Sequence, residues 1–264
     1  MGKVGFIGCG NMGGALARAA SKSDADLWLA DGLPEKAAAL AEELSAHHDD
    51  NEGLAAGCDW LFLGVKPQVM PTVLGKLAPT LAKRQDRFVL VSMAAGLTVA
   101  RIRELAGGEY PVIRIMPNTP AAVGKGMILY TMAGITAEEE TEFLRFMRGA
   151  GRFDAIPEAL MDAGSAVSGC GPAFACQFIE ALADGGVACG LPRDKAILYA
   201  AQMMAGTAEL LMTSGQHPGA LKDAVCSPGG STIQGVRRLE KGAFRADVTD
   251  AVIAAYEKTK DLGK

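Results

Sequence analysis

Apolar and polar positions along the first half of the chain fall into short blocks of two periods. Residues 4–7, Val4-Gly5-Phe6-Ile7, form a β-rich run that gives way to a glycine-rich turn and then to a helical pattern over 15–20. The same alternation predicts a strand at 26–30 and a helix at 34–44 with an alanine-rich inner face. A fully buried strand follows at 60–65, where Trp60-Leu61-Phe62-Leu63-Gly64-Val65 is continuously apolar, as the centre of a parallel sheet requires. Beyond it the pattern predicts a helix at 77–83, a strand at 88–92, a helix at 98–105 and strands at 112–116 and 127–132. An amphipathic helix at 138–149 turns Phe143, Leu144, Phe146 and Met147 toward the sheet. Alternating β and α elements make a Rossmann-like, doubly wound α/β sheet.

From Glu158 the strand signals stop. Residues 161–189 and 195–211 read as mainly helical, and a last helix is predicted at 247–260. Residues 196–208 carry no charge and are apolar almost all round, so this helix is expected to be buried on every side. A domain of about 100 residues built from a few such helices cannot cover them alone, so the helical halves of two chains are expected to pack as a homodimer. The chain is thus read as a dinucleotide-binding domain, 1–157, and an all-α dimerisation and substrate domain, 158–264.

Composition narrows the partners. The net charge is −4 with no basic block longer than Arg237-Arg238, which argues against nucleic acid. The apolar run after Met1 is too short for a signal peptide. The longest uncharged run, 163–179, is broken by Gly164, Gly169, Gly171 and Pro172 and falls short of the roughly 20 apolar residues of a membrane helix, so no membrane segment is expected. Six scattered cysteines without C-x-x-C spacing fit reduced thiols in a cytoplasmic protein.

The chemistry begins at Gly8-Cys9-Gly10-Asn11-Met12-Gly13, a G-x-G-x-x-G between the first strand and the first helix. In that context Gly8 permits the tight turn, Gly10 lets a pyrophosphate approach the backbone, and Gly13 lets the helix pack on the strand. Asp31, at the end of the second strand, is placed to accept from a ribose 2′-hydroxyl and to repel a 2′-phosphate. Gly32 follows where an arginine would welcome that phosphate, which tilts the cofactor toward NADH; Lys36 is the alternative phosphate partner. His47-His48-Asp49-Asp50 has metal-donor types, but adjacent loop side chains diverge and no ligand spacing is present, so no metal is expected. Strands end at Lys66-Pro67, Met93-Ala94-Ala95-Gly96 and Pro117-Asn118-Thr119-Pro120, the edge where open α/β sheets place ligands.

Two stretches in the second half bear on the reaction. In Gly164 through Ala175, hydroxyacid dehydrogenases of the same two-domain plan carry a catalytic lysine four residues after the last glycine; here that position is Ala175. Reducing a ketone requires an acid strong enough to protonate an alkoxide, whereas a protonated imine needs only orientation and a hydride. In His217 through Gln234, a short helical segment is broken at Ser227-Pro228-Gly229-Gly230 and a new helix opens. Ser231 and Gln234 fit a capping box, with Ser231 as N-cap and Thr232 as first helical residue. The backbone N–H groups there form a receptor for a small carboxylate or phosphate, or simply a well-capped turn.

The chain resembles the pyrroline-5-carboxylate reductases over nearly its whole length. The resemblance is carried by Gly5 through Gly13, Val65-Lys66-Pro67, Ala94-Ala95-Gly96, Met116 through Pro120, Ser168 through Ala173, and most specifically His217 through Glu240. Cys170 replaces a commoner serine, and Asp31-Gly32 lacks the Asn-Arg or similar pair of NADPH-preferring relatives. The resemblance implies hydride transfer from NAD(P)H to 1-pyrroline-5-carboxylate, giving L-proline in the last step of proline biosynthesis. It implies that the amides of Gly230, Ser231 and Thr232 hold the substrate carboxylate and that the Thr232 hydroxyl, as the catalytic group, bonds the ring nitrogen. Ala95 would line the substrate. Gly8, Gly10, Asn11, Met12, Gly13, Asp31, Asn51, Val65, Lys66, Pro67 and Ala94 would contact the cofactor. It further implies a site shared across a dimer and, often, a decamer of five dimers. The rival readings are a two-domain hydroxyacid dehydrogenase, a related imine reductase, and a non-enzymatic NAD(P) sensor.

Overall fold

The computed structural model describes residues 2–262, which form two compact units, 2–170 with 255–262 and 171–254. The first is built on eight strands: β1 (Lys3–Ile7), β2 (Asp26–Ala30), β3 (His47–His48), β4 (Trp60–Leu63), β5 (Val89–Ser92), β6 (Val112–Met116), β7 (Gly126–Ala133) and β8 (Gly151–Ala155). Their order is β3-β2-β1-β4-β5-β6-β7-β8. The chain winds outward from β1 through β2 and β3, then returns to the other side of β1 with β4, so the topological switch lies between β1 and β4. Seven helices cover the sheet: α1 (Asn11–Ala20), α2 (Pro34–Leu44), α3 (Asn51–Gly57), α4 (Met70–Leu81), α5 (Val99–Ala106), α6 (Ala137–Met147) and α7 (Met161–Ser168). Leu16, Leu40, Phe143 and Phe146 fill the core on one face with Phe6 and Phe62; Leu54, Leu74, Leu77 and Ile102 fill it on the other with Ile7 and Leu63. Burial on both faces is what makes the central strands uniformly apolar.

The sheet is not wholly parallel. β7 runs antiparallel to β6, because the connection 117–125 holds only a 3-10 turn and is too short for a crossover helix. β8, parallel to β7, has no counterpart in the sequence pattern, since Arg152 and Asp154 face outward along a half-exposed strand. Nor has α3, and His47-His48, read as a polar connection, pairs as a short strand with Trp28 and Leu29. α4 starts seven residues earlier than the pattern at 77–83 predicts. Met70, Val73, Leu74, Leu77 and Leu81 form one helical stripe; Pro71 sits in the first turn, where its missing N–H costs nothing, and Pro79 is held inside the helix.

The second unit contains α8 (Gly171–Ala188), α9 (Arg193–Ser214), α10 (Pro218–Ala224), α11 (Ser231–Lys241) and the first part of α12 (Phe244–Leu262). α8 packs on α9 closely enough that a Cβ at Gly186 would lie 3.2 Å from the Cβ of Ala196, and Phe178 meets Phe244 at 5.6 Å between ring centroids. Within one chain α9 is not buried on every side, as its composition suggested: only Ala196 and Ala200 are covered. Tyr199, Met203 and Leu210 form an exposed stripe at helical spacing, about half accessible. The stretch 158–188 is helical almost throughout and, by length and composition, reaches what a membrane span requires, because the helical turns continue past the glycines taken as interruptions.

Candidate active site

The glycine-rich turn follows β1 at the topological switch. Gly8 has φ +103°, and a Cβ there would sit 2.6 Å from the carbonyl oxygen of Gly64, so only glycine lets the two strand ends meet. A Cβ at Gly13 would collide with the carbonyl of Gly8. Gly10 is different. Its backbone is extended (φ −71°, ψ −169°), and a Cβ there would meet no protein atom within 4 Å. Neither strain nor packing asks for glycine at this position; what glycine leaves there is open space in front of α1. Gly10 is also the N-cap of α1 without a side-chain cap, and among the described residues nothing accepts from the N–H groups of Asn11 or Met12. Bare amides at the positive end of a helix with open space before them fit a pyrophosphate.

Asp31 is fixed beside this turn. Its Oδ2 accepts from the Cys9 N–H at 2.7 Å and its Oδ1 from the Leu33 N–H at 2.9 Å. The Cys9 thiol donates to the Ala30 carbonyl, and burial together with the Asp31 charge pushes its pKa up to about 11, so it stays neutral. A cavity of about 510 Å³ opens alongside, lined by Asp31, Asn51, His48 and Lys76 among others. Asn51 is part of this lining, and its buried Oδ1 has no hydrogen-bond partner. Lys36 lies exposed on α2 and does not line this cavity. Val65, Lys66 and Pro67 follow β4 directly: Val65 packs against the core, the Lys66 side chain is exposed, and the carbonyls of Lys66 and Pro67 start the turn into α4. Ala94 is buried after β5, its N–H facing the Ser92 hydroxyl at 3.4 Å, and Ala95 packs beside Met116, Leu129 and Met161.

The helix start in the second unit corrects one expectation. Gly230, with φ −73° and ψ 169°, is the N-cap of α11, and Ser231 is the first helical residue; no capping box forms. The backbone supplies the reason. Ser227-Pro228-Gly229-Gly230 is a β-turn with proline second, Gly229 third at φ +68°, and the Gly230 N–H donating to the Ser227 carbonyl at 3.0 Å, the pattern of a type II turn. That turn delivers the chain into the helix one residue earlier than the Ser231/Gln234 spacing predicts. It also occupies the Gly230 amide, leaving the N–H groups of Ser231 and Thr232 without an acceptor among the described residues. Both side chains are exposed. The preceding α10 is capped by His217, whose Nδ1 accepts from the Gly219 N–H at 3.0 Å, and Lys222 pairs with Asp223 at 2.5 Å.

Two polar residues to which the sequence pattern assigned no structural role hold the framework. Asn118 is buried; its Oδ1 accepts from the Met127 N–H at 3.0 Å and its Nδ2 donates to the Ser168 carbonyl at 2.9 Å, joining the loop after β6 to the end of α7. Arg114, 2% exposed, bonds Glu158 at 3.2 Å and Asp162 at 3.0 Å. Glu158 in turn accepts from the Val99 N–H at the start of α5. The only local signal for Arg114 was a charge in an otherwise apolar strand, and Asn118 was legible only as part of the loop that ends β6.

A doubly wound sheet with a bare glycine-rich turn at its switch point, followed by a helical unit, defines an NAD(P)-dependent oxidoreductase of the two-domain type. Comparison with known proteins is more specific. Residues 3–96 match the family described as NADP oxidoreductase coenzyme F420-dependent, and residues 158–262 match pyrroline-5-carboxylate reductase dimerisation. The pyrroline-5-carboxylate reductase of Escherichia coli K12 is 40% identical over 99% of this chain and 98% of its own, and that of Pisum sativum 40% over 98% and 95%. Among solved structures, a Plasmodium falciparum pyrroline carboxylate reductase with NADP bound superposes with a TM-score of 0.88 at 33% identity, covering 100% of this chain and 98% of that one. The chain belongs to the pyrroline-5-carboxylate reductase family. The exposed apolar surface of α9 and the apolar stretch 158–188 both fall within the dimerisation match.

Proposed function

We propose that this chain reduces the C=N bond of 1-pyrroline-5-carboxylate to give L-proline, the last step of proline biosynthesis, and that it does so with the residues described above. When bound, NAD(P)H supplies the hydride that adds to the imine carbon, leaving the ring nitrogen, protonated beforehand, as a secondary amine. The chain's own part is binding and orientation. Gly8, Gly10 and Gly13 shape the turn, the amides of Asn11 and Met12 meet the pyrophosphate, and Asp31 and Asn51 meet the adenosine ribose. Val65, Lys66, Pro67 and Ala94 border the rest of the cofactor. The helix start, Gly230 with the amides of Ser231 and Thr232, holds the substrate carboxylate, Ala95 leaves room for the ring, and the Thr232 hydroxyl bonds the ring nitrogen.

The observation that carries this reading is the bare start of α11 in a chain that has Ala175 where a hydroxyacid dehydrogenase has its lysine. Amides and one hydroxyl suffice for an already protonated imine and not for a ketone. We further propose a cytoplasmic homodimer, with five dimers forming a decamer, and a functional division at 157/158. Thr232→Ala is expected to lower kcat/KM about tenfold or more, the loss of one transition-state hydrogen bond of about 1.4 kcal/mol. Steady-state kinetics on a variant with unchanged circular dichroism is the test. Unaltered kinetics would remove Thr232 from the mechanism.

A further inference from the structure

The cavity beside the end of β2 has a charge pattern that bears on which nicotinamide cofactor the chain accepts. Asp31, Asp49, Asp50 and Glu52 line it, against Lys76 as the single lysine or arginine in the lining. Three of these carboxylates are held by backbone amides. Asp31 accepts from Cys9 and Leu33, the Asp49 Oδ1 accepts from the Asp50 N–H at 2.8 Å, and the Asp50 Oδ1 caps α3 by accepting from the Gly53 N–H at 2.8 Å. The Asp49 carboxylate also packs over Gly53, where any Cβ would collide with it. Such carboxylates cannot swing aside without giving up their amide partners. Asn51, whose buried Oδ1 has no hydrogen-bond partner, belongs to the same lining.

We propose that this chain takes NADH in preference to NADPH, and that the fixed carboxylates, Asp31 first, exclude the 2′-phosphate. The proposal rests on the dinucleotide-binding role given above. A ribose 2′-hydroxyl donates to a free lone pair of Asp31. A 2′-phosphate brings about two negative charges into a wall of immobile negative charge and offers no proton to share.

The test is equilibrium titration of the full-length protein with NADH and with NADPH, followed by cofactor fluorescence, alongside kcat/KM for each with 1-pyrroline-5-carboxylate. NADH is expected to bind at least about tenfold more tightly at low salt. Raising ionic strength from ~0.05 M to ~0.5 M is expected to narrow that gap by screening the repulsion. Asp31→Asn, which keeps one acceptor and removes the charge, is expected to tighten NADPH and weaken NADH. A gap under tenfold, a preference for NADPH, or a gap indifferent to salt overturns the proposal, even if Asp31→Asn proves too unstable to assay. Binding of NADH without turnover of the imine leaves the discrimination standing and overturns the proposed reaction. Binding of neither cofactor overturns both.

Discussion

Gly10→Asp is expected to weaken NAD(P)H binding roughly 100-fold, about 2.7 kcal/mol, while the protein's thermal midpoint stays level or rises. The two effects have opposite signs for one structural reason. A side chain at Gly10 meets no protein atom, so the fold does not resist it. Aspartate is also a better N-cap than glycine and complements the positive end of α1, so the free chain gains from a carboxylate that accepts from the first-turn amides. Those amides are the ones assigned to the pyrophosphate, and the new charge faces two phosphates. Gly13→Ala provides the contrast, because its Cβ collides with the Gly8 carbonyl and lowers the thermal midpoint directly. Fluorescence titration and thermal melts on both variants separate space kept for a ligand from space needed for packing. If Gly10→Asp bound cofactor like the parent protein, the pyrophosphate would lie elsewhere.

The second large effect concerns α9. Met203 stands in the exposed apolar stripe with Tyr199 and Leu210, inside the segment that matches a dimerisation domain. In a single chain Met203 is 47% exposed and its sulfur meets the neighbouring Thr207 hydroxyl at 3.5 Å, so Met203→Asp costs its own fold little. In a dimer that covers the stripe, the same carboxylate becomes a buried charge without a partner, at a cost of about 3–5 kcal/mol. If each subunit contributes one, dissociation is favoured by a factor of roughly 10,000 or more. Sedimentation at micromolar concentration is expected to show a dimer, or a larger assembly built from dimers, for the parent chain and a helical monomer for the variant. An unchanged assembly would place the interface on another face.

What the chain reveals before folding depends on how local the governing interaction is. β2 and β6 are predicted residue for residue, because each is dominated by large apolar residues, with only Asp26 at the start of β2 and Arg114 inside β6 as charged members. β8 escaped, because it is half exposed and carries Arg152 and Asp154. The start of α4 escaped for a different reason: Pro79 obscures where the helix begins, whereas α4 opens at Met70 with Pro71 in its first turn and carries Pro79 inside. Within the candidate site, the glycine turn and Asp31 were legible because their spacing is set by one βαβ unit. The N-cap of α11 was misplaced by one residue, since the Ser231/Gln234 spacing competes with a Pro-Gly turn whose geometry settles the outcome. Asn118 and Arg114 could not be assigned partners at all. Apart from Met127, those partners, Ser168, Glu158 and Asp162, lie between 44 and 50 residues away and meet them only in the folded unit.

The central claim is that this chain reduces an imine through a helix start that is too weak an acid for a ketone. The most direct measurement is oxidation of NADH and NADPH by the purified protein with 1-pyrroline-5-carboxylate, set against a panel of keto acids and, in the reverse direction, hydroxy acids. The account predicts rapid turnover of the imine with formation of L-proline and none above background for the keto and hydroxy acids. Turnover of a keto acid at a comparable rate would contradict it, because no residue at the Ala175 position or at the start of α11 supplies the proton that an alkoxide requires.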